Sequence, residues 1–311
     1  MKTFLLIGNF GVGNFGDEAL KEYFLTRFPD VSWKVVSADP KGDELARLPS
    51  GVRSFFGFRW LKTLSALRRC DGVVFGGGSL FTDVESLKAC LLWWIHAAVA
   101  KVCGCPLCFA FQGVGPFRTR LGERLSRSAF RKATHISVRD SLSAKRVEAW
   151  HLSIKVIQSF DPVYSLIKEK KSDVRSQKIL MVIPRKNSGA TIKKAIAELL
   201  KRNTFDRVVI LSLQPDDPAE AAYCLTLAWE LAATIQPIRT VDQLSRAVAG
   251  CSLLLTERYH GAVAALALGV PFATVSQGEG DKLDAIAAVD ATSAAERVAV
   301  GERGLRGCIG N

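Results

Sequence analysis

The sequence predicts an α/β chain made of two tandem, doubly wound Rossmann-like domains. Three observations predict it. Short continuous apolar runs alternate with helix-period segments along the chain, the pattern of parallel strands covered on both faces by helices. Several of these runs end directly in glycine-rich turns, which mark the breaks between elements. A polar, charge-dense stretch, Ile167–Lys178, interrupts the series, which then starts again. The length of 311 residues suits two domains of roughly 100–200 residues each. The expected division is 1–166, a linker over 167–178, and 179–311.

Each element has its own justification. Thr3–Ile7 reads as a strand. Asp17–Phe28 follows as a helix, with Leu20, Tyr23, Phe24 and Phe28 on one face. Trp33–Ser37 is a second strand and Trp60–Arg69 a helix. Gly72–Phe75 is a third strand, followed by a glycine-rich turn and a helix through Trp93 and Trp94. That helix contains the longest apolar run, Ala89–Ala100. At twelve residues it falls short of the roughly 20 a membrane span needs. Leu107–Phe111, His135–Val138 and Val156–Gln158 complete the first series. The second has strands at Ile179–Ile183, Val208–Leu213, Leu253–Thr256 and Phe272–Val275. Its helices lie near Ala190–Lys201, Pro218–Ala233, Val241–Ala249 and Gly261–Leu268. The tail, Gly301–Asn311, is rich in Gly and Arg and is expected to be loose.

A composition of 48% hydrophobic and 23% charged residues excludes disordered, collagen-like and disulfide-scaffold classes. The net charge of +12 is uneven, with +9 in residues 1–165 and +3 in the rest. Such a field favours anionic partners without naming them. Pro116–Lys155 alone carries ten basic and three acidic side chains, with Arg118, Arg120, Arg124, Arg127 and Arg131 at helical spacing. This is either a solvated face or a contact with an anionic surface. The start lacks the apolar core of a secretory signal, so a cytoplasmic location is expected. Cys103, Cys105 and Cys108 cluster without a second C-x-x-C pair. They are expected to be reduced, buried thiols, with no metal site.

Function is sought at strand ends. Gly8–Glu18 contains a literal G-x-G-x-x-G at Gly11, Gly13 and Gly16, and Asp39 closes the second strand. A dinucleotide turn would start closer to Ile7, and Asp17 reads as the helix N-cap, with Gly16 before it. The loop is still suited to approach an anion or a sugar. Gly76–Ser79 and Gln112–Pro116 repeat the glycine-rich pattern after two further strands. Arg139 ends an apolar strand. It suits either bidentate phosphate or carboxylate binding or an internal salt bridge to Asp140 or Asp161. The sharpest motif runs from Leu253 to Gly261. There a buried strand ends, Arg258 and His260 follow, and a small-residue helix begins, which makes a helix N-terminus suited to an anion and a general acid. His96, His135 and His151 have no such context and read as structural.

These motifs, in order, resemble the polysaccharide pyruvyl transferase family. The residues that carry the resemblance are Gly11–Ala19, Gly76–Leu80, Gln112–Pro116, Ser137–Asp140, Asp161–Val163 and Arg258–Gly261. The likeness is strongest to bacterial cell-wall members that prepare glycans for anchoring surface-layer proteins. The resemblance implies a glycosyltransferase-B-like architecture with a central cleft. It implies transfer of a pyruvyl group from phosphoenolpyruvate to two sugar hydroxyls, giving a cyclic ketal. The implied acceptor is a polyprenyl-diphosphate-linked glycan containing N-acetylmannosamine, with the acceptor side in the N-terminal domain, whose excess positive charge then suits peripheral contact with the anionic inner face of the plasma membrane.

Under this reading His260 and Asp17 are catalytic. Arg139, Arg258, Tyr259, Gly261 and Lys282 bind the donor. Gly13, Asn14, Gly16, Glu18, Gly77, Gly78, Ser79 and Gln112 bind the acceptor. No resident cofactor or metal is expected, phosphoenolpyruvate being a co-substrate. The chain departs from the family's common Tyr-Asp-x-Lys stretch, having Gly278, Glu279, Gly280, Asp281 and Lys282 there, and Tyr259 replaces a usual aliphatic residue. A nucleotide-sugar-dependent glycosyltransferase of the same architecture is the alternative. A nucleic-acid-binding protein is not expected, because base-reading motifs are absent.

Overall fold

The apolar runs become two parallel sheets in the computed structural model, which describes residues 1–84, 86–167, 177–276, 278 and 282–310, save the side chain of residue 53. The first sheet is formed by β1 (Thr3–Ile7), β2 (Ser32–Ser37), β3 (Leu45–Ala46), β4 (Gly72–Phe81), β5 (Leu107–Val114), β6 (His135–Val138) and β7 (Val156–Gln158). Its order is β3-β2-β1-β4-β5-β6-β7, all parallel. Helices α1 (Phe15–Arg27), α2 (Val52–Phe56), α3 (Trp60–Leu67), α4 (Leu87–Val102), α5 (Arg120–Phe130) and α6 (Ser141–Glu148) connect these strands. One core cluster joins Leu67 of α3, Trp93 and Ala97 of α4, Phe130 of α5 and Val147 of α6 to Phe75 and Phe109 of the sheet. A second aromatic group, Tyr23 and Phe24 of α1 and Phe28 just after it with Trp33 and Phe111, packs ring against ring.

The second sheet is formed by β8 (Ile179–Ile183), β9 (Arg207–Ser212), β10 (Thr234–Pro237), β11 (Leu253–Thr256) and β12 (Phe272–Thr274). Its order is β10-β9-β8-β11-β12, again parallel. It alternates with α7 (Ala190–Arg202), α8 (Pro218–Glu230), α9 (Val241–Ala249), α10 (Tyr259–Ala267) and α11 (Lys282–Ile286). The helix starts follow local chemistry. Asp217 accepts the Ala219 and Glu220 N–H groups ahead of Pro218, and Thr240 and Gln243 form a reciprocal capping box on α9. Leu180, Val182, Ile192, Ile196, Ile210, Leu227 and Leu255 fill this core.

Several expectations change. Helix α1 starts at Phe15, so Gly16 and Asp17 lie inside its first turn and Asp17 is not the N-cap. The glycines of Gly76–Ser79 lie within β4, which continues to Phe81 through a register shift beyond Gly78. The Gly/Arg-rich tail is the end of a long helix, α12 (Ala291–Ile309), with Leu305 and Ile309 buried. The chain divides into one unit of Met1–Val12, Gly16–Pro162 and Glu296–Asn311, and another of Gly13–Phe15 and Val163–Ala295. Residues 296–311, assigned from sequence to the second domain, therefore belong to the first. Residues 168–176 of the expected linker lie outside the described residues.

Glycine and charge explain how α12 joins the first unit. A Cβ on Gly301 would lie 2.5 Å from Phe111, and one on Gly304 would lie 2.6 Å from Ile157 and 2.8 Å from His135. Only bare backbone can approach the sheet so closely. Glu302 accepts Nε and Nη2 of Arg27 at 2.9 and 2.8 Å and the Tyr23 hydroxyl at 2.9 Å. Cys308 forms a disulfide with Cys108 across 200 residues, so Cys108 is not the reduced thiol the sequence suggested. Cys103 and Cys105 are free, and burial pushes the Cys105 thiol up to about 12.

Candidate functional site

In an open parallel sheet, ligands gather beyond the carboxyl ends of strands where the strand order reverses. In the first sheet β1 lies between β2 and β4; in the second β8 lies between β9 and β11. Gly11–Ala19 and Arg258–Gly261 sit near these two places, while Gln112–Pro116 and Ser137–Asp140 lie at the ends of β5 and β6.

In the first unit, the loop after β1 is held from several sides. Arg47 Nη2 donates to the carbonyls of Gly8 and Phe10 and to Asn9 Oδ1, at 3.1–3.3 Å. Asn9 Nδ2 donates to Asp17 Oδ2 at 3.0 Å, and the Gly11 N–H to Glu18 Oε1 at 2.7 Å. Burial lowers the Arg47 guanidinium below its ordinary range, while the Asp17 carboxylate works the other way. Asp17 is itself buried. It faces β4 so closely that a Cβ on Gly78 would lie 3.2 Å from Asp17 Oδ1. Gly77 and Gly78 also have φ of +77° and +79°, which a side chain would strain. Thus Gly16, Asp17, Glu18, Gly77 and Gly78 meet beyond the end of β1, beside the continuing β4. Asn9 and Arg47 complete the arrangement and were not found from sequence; no local spacing connects Arg47 to the loop.

Gln112 is fully buried. Its Nε2 donates to the Phe75 and Ala110 carbonyls at 2.9 and 3.2 Å. Its Oε1 is buried without a hydrogen-bond partner among the described residues. Arg139, also buried, donates from Nη1 to Asp161 Oδ2 at 2.7 Å and from Nη2 to Ser79 Oγ at 2.9 Å. Of the two roles open to Arg139 in the sequence, the internal ion pair to Asp161 is the arrangement present. Asp140 caps α6 by accepting the Ser143 N–H and hydroxyl.

In the second unit, Thr256 ends β11, and its hydroxyl accepts the Arg258 N–H and donates to the Arg258 carbonyl, both at 2.9 Å. This turns the chain into α10, with Arg258 at the N-cap in extended conformation. The first turn of α10 lies directly on the strand ends: a Cβ on Gly261 would lie 2.6 Å from Thr256 Oγ1 and 2.7 Å from Ile183. Gly261 is thus required for packing. The Arg258 guanidinium donates to Gln214 Oε1 at 2.7 Å and is ion-paired with the fully buried Glu220. Glu220 also accepts the Gln214 N–H at 2.7 Å. Sequence reasoning missed Glu220 and Gln214, since an acid in the first turn of a helix ordinarily reads as a dipole partner. Glu257, beside Arg258, is buried and accepts the Arg185 N–H and the Ser188 hydroxyl. Burial pushes its carboxyl up, against these hydrogen bonds.

His260 is half-buried on the first turn of α10. Its ring lies edge-on to Tyr259 at 5.8 Å and to Phe15 at 6.4 Å, Phe15 belonging with Gly13 and Asn14 to this same unit. Lys282 Nζ stands 5.7 Å from the centre of the Tyr259 ring. The structure therefore groups Tyr259, His260 and Lys282. Residues 279–281, in the stretch where the chain departs from the common family pattern, lie outside the described residues. Among the described residues, no group of three or more His, Cys, Asp or Glu side chains could hold a metal ion.

Three solved structures illustrate what this fold resembles. HepE from Anabaena in complex with UDP-glucose is similar over 100% of both chains, with 12% identity and a TM-score of 0.65. S. aureus MnaA in its UDP co-structure has 15% identity and a TM-score of 0.56, over 89% of this chain and 80% of that one. UDP-GlcNAc 2-epimerase from Neisseria meningitidis bound to UDP-GlcNAc has 16% identity and a TM-score of 0.59, over 95% and 90%. At such identities the likeness carries the fold alone, a two-domain Rossmann-like fold of glycosyltransferase-B type. No curated protein matches the chain. Residues 14–279, from the glycine loop after β1 to beyond β12, match the polysaccharide pyruvyl transferase family, and the chain belongs to that family.

Proposed function

We propose that the protein transfers the pyruvyl group of phosphoenolpyruvate to a sugar of a cell-surface polysaccharide precursor. The acceptor we propose is a polyprenyl-diphosphate-linked glycan containing N-acetylmannosamine, presented at the cytoplasmic face of a membrane. The reading rests on membership of the family over residues 14–279. The grouping of Tyr259, His260 and Lys282 at the start of α10 supports it. A helix N-terminus with cations beside it complements the phosphate and carboxylate of the donor.

In the proposed reaction His260 protonates the methylene carbon of phosphoenolpyruvate, which becomes the methyl group. The adjacent carbon gains oxocarbenium character and is attacked by one sugar hydroxyl, whose proton passes to Asp17. The C–O bond to phosphate then breaks, and the second hydroxyl closes the ketal. Asp17 passes the first hydroxyl's proton to the departing phosphate, and the proton of the second hydroxyl restores His260. This scheme needs no resident cofactor and no metal. Arg139 and Arg258 enter it as donor-binding residues, although each already faces a buried carboxylate. Gln112, with its buried Oε1, and Ser79 enter on the acceptor side.

Phosphate release from phosphoenolpyruvate, measured with a panel of sugar and lipid-linked acceptors, tests the reading. His260→Ala should lower turnover by about 10²–10⁴-fold, the range for loss of a general acid. Near-normal ketal formation by that variant would overturn the assignment. Thermal shifts with phosphoenolpyruvate against UDP-sugars separate this function from a nucleotide-sugar-dependent glycosyltransferase, since the true ligand raises the melting temperature.

A further inference from the structure

Helices α2 and α3 and the turn between them present apolar side chains to solvent. Val52, Phe55, Phe56, Phe58 and Leu61 are between 47% and 75% exposed, all within ten residues. Singly exposed apolar residues are ordinary; a contiguous group marks an interaction surface. The group is held in place. The Trp60 indole N–H donates to the Phe55 carbonyl at 2.9 Å, the two rings stack at 5.6 Å, and Phe56 meets Phe55 edge-on. The Ser54 hydroxyl donates to the Gly51 carbonyl and accepts its N–H. Phe58 is held at φ +53°, a conformation costly for a bulky residue, with most of its side chain in solvent.

The charge around this group has one sign. From Arg47 to Cys70 the chain has six Arg and Lys residues and no Asp or Glu. Arg59, Lys62, Arg68 and Arg69 are exposed. Arg68 also lines an open groove of about 350 Å³ with Leu64, Ala98, Val99, Val102 and Cys103, which extends the apolar ground to the end of α4. On α5, by contrast, Arg118 before its start and Arg120 and Arg124 within it are exposed with only Leu121 as an exposed large apolar neighbour. Helices α3, α4 and α5 share one core cluster with Phe75 and Phe109, so both basic regions belong to the same face of the first sheet.

We propose that this face of the first unit docks on an anionic lipid bilayer. Phe55, Phe56, Phe58 and Leu61 enter the headgroup region, and Arg59, Lys62, Arg68 and Arg69 bind lipid phosphates. Aromatic side chains interleaved with cations, with no acid between Arg47 and Cys70, are what an interfacial segment requires. The inference is independent of the pyruvyl-transfer reading, and its test contains neither phosphoenolpyruvate nor acceptor.

The experiment is vesicle flotation with phosphatidylcholine alone and with an equal mixture of phosphatidylcholine and phosphatidylglycerol. The intact protein should float with the anionic vesicles, roughly five-fold or more above neutral ones, and less at high salt. Combining Phe55→Ser, Phe56→Ser and Phe58→Ser should remove most of this binding, as should Arg59→Glu with Lys62→Glu. The circular dichroism spectrum should stay unchanged and the melting midpoint should fall only slightly, because the replaced side chains are about half-exposed or more and lose only the Phe55–Trp60 and Phe55–Phe56 ring contacts. Absence of flotation on anionic vesicles, or binding equal to wild type in both variants, would overturn the proposal. So would self-association in ultracentrifugation that the triple variant abolishes, without vesicle binding, since the face would then join two copies.

Discussion

His96 is a histidine fully engaged in structure. The Leu48 N–H donates to its Nε2 at 2.9 Å, so the ring proton sits on Nδ1 and goes to the Leu92 carbonyl at 2.8 Å. Burial holds its pKa down to about 4, with Arg47 adding to the effect and the Leu92 bond opposing it, and burial does the same to His135. Both lie below the unfolded value of about 6.5. Between these limits the unfolded chain takes up protons that the folded chain refuses. The stability these histidines contribute is therefore complete above pH 6.5 and declines as pH falls towards 4. Denaturant titrations at pH 7 and pH 4.5 should show wild type losing about 2–3 kcal/mol more than His96→Gln. Arg258 shows the limit of sequence reading at this scale. Its place at a strand end was legible, but its partner Glu220 lies 38 residues away in the chain and is brought to it only by the order of strands.

Elements were legible where a single period governs them. The strands at Thr3–Ile7, His135–Val138 and Leu253–Thr256 have the bounds their apolar runs suggest. Among the features that were hidden, three show why. Strand β10 is short, partly exposed and ends in Pro237, so it carries no apolar run. The glycines of β4 read as a turn, because only tertiary contacts explain bare backbone within a strand: Leu6 and Phe24 against Gly76, Leu20 against Gly77 and Asp17 against Gly78. Helix α12 read as loose because Gly301, Gly304, Gly307 and Gly310 recur every three residues. Glycine lowers helix propensity, yet here it permits contact with the sheet. Two substitutions separate these effects. Gly304→Ala forces a Cβ against Ile157 and His135 and should destabilise by about 1–3 kcal/mol. Gly307→Ala meets nothing within 4 Å and should stabilise by roughly 0.5–1 kcal/mol. Melting curves of the two variants should move in opposite directions.

At the scale of the whole molecule, the alternation of apolar runs with helix-period segments pointed to the right fold class, and six weak motifs in order pointed to the family. What it missed is that the chain returns: Glu296–Asn311 closes the unit that Met1–Val12 begins. Arg27, Tyr23 and Glu302 fasten that return with ion pair and hydrogen bonds, and Cys108–Cys308 fastens it covalently. This has a mechanical consequence. Residues 163–295 lie entirely inside the loop that the disulfide closes. In an optical trap that pulls on the two chain ends, tension passes through the bridge and bypasses residues 163–295. The oxidised protein should extend only by the chain before Cys108 and after Cys308, and a reductant should release the enclosed length. Equal contour lengths with and without reductant would show that the bridge does not form.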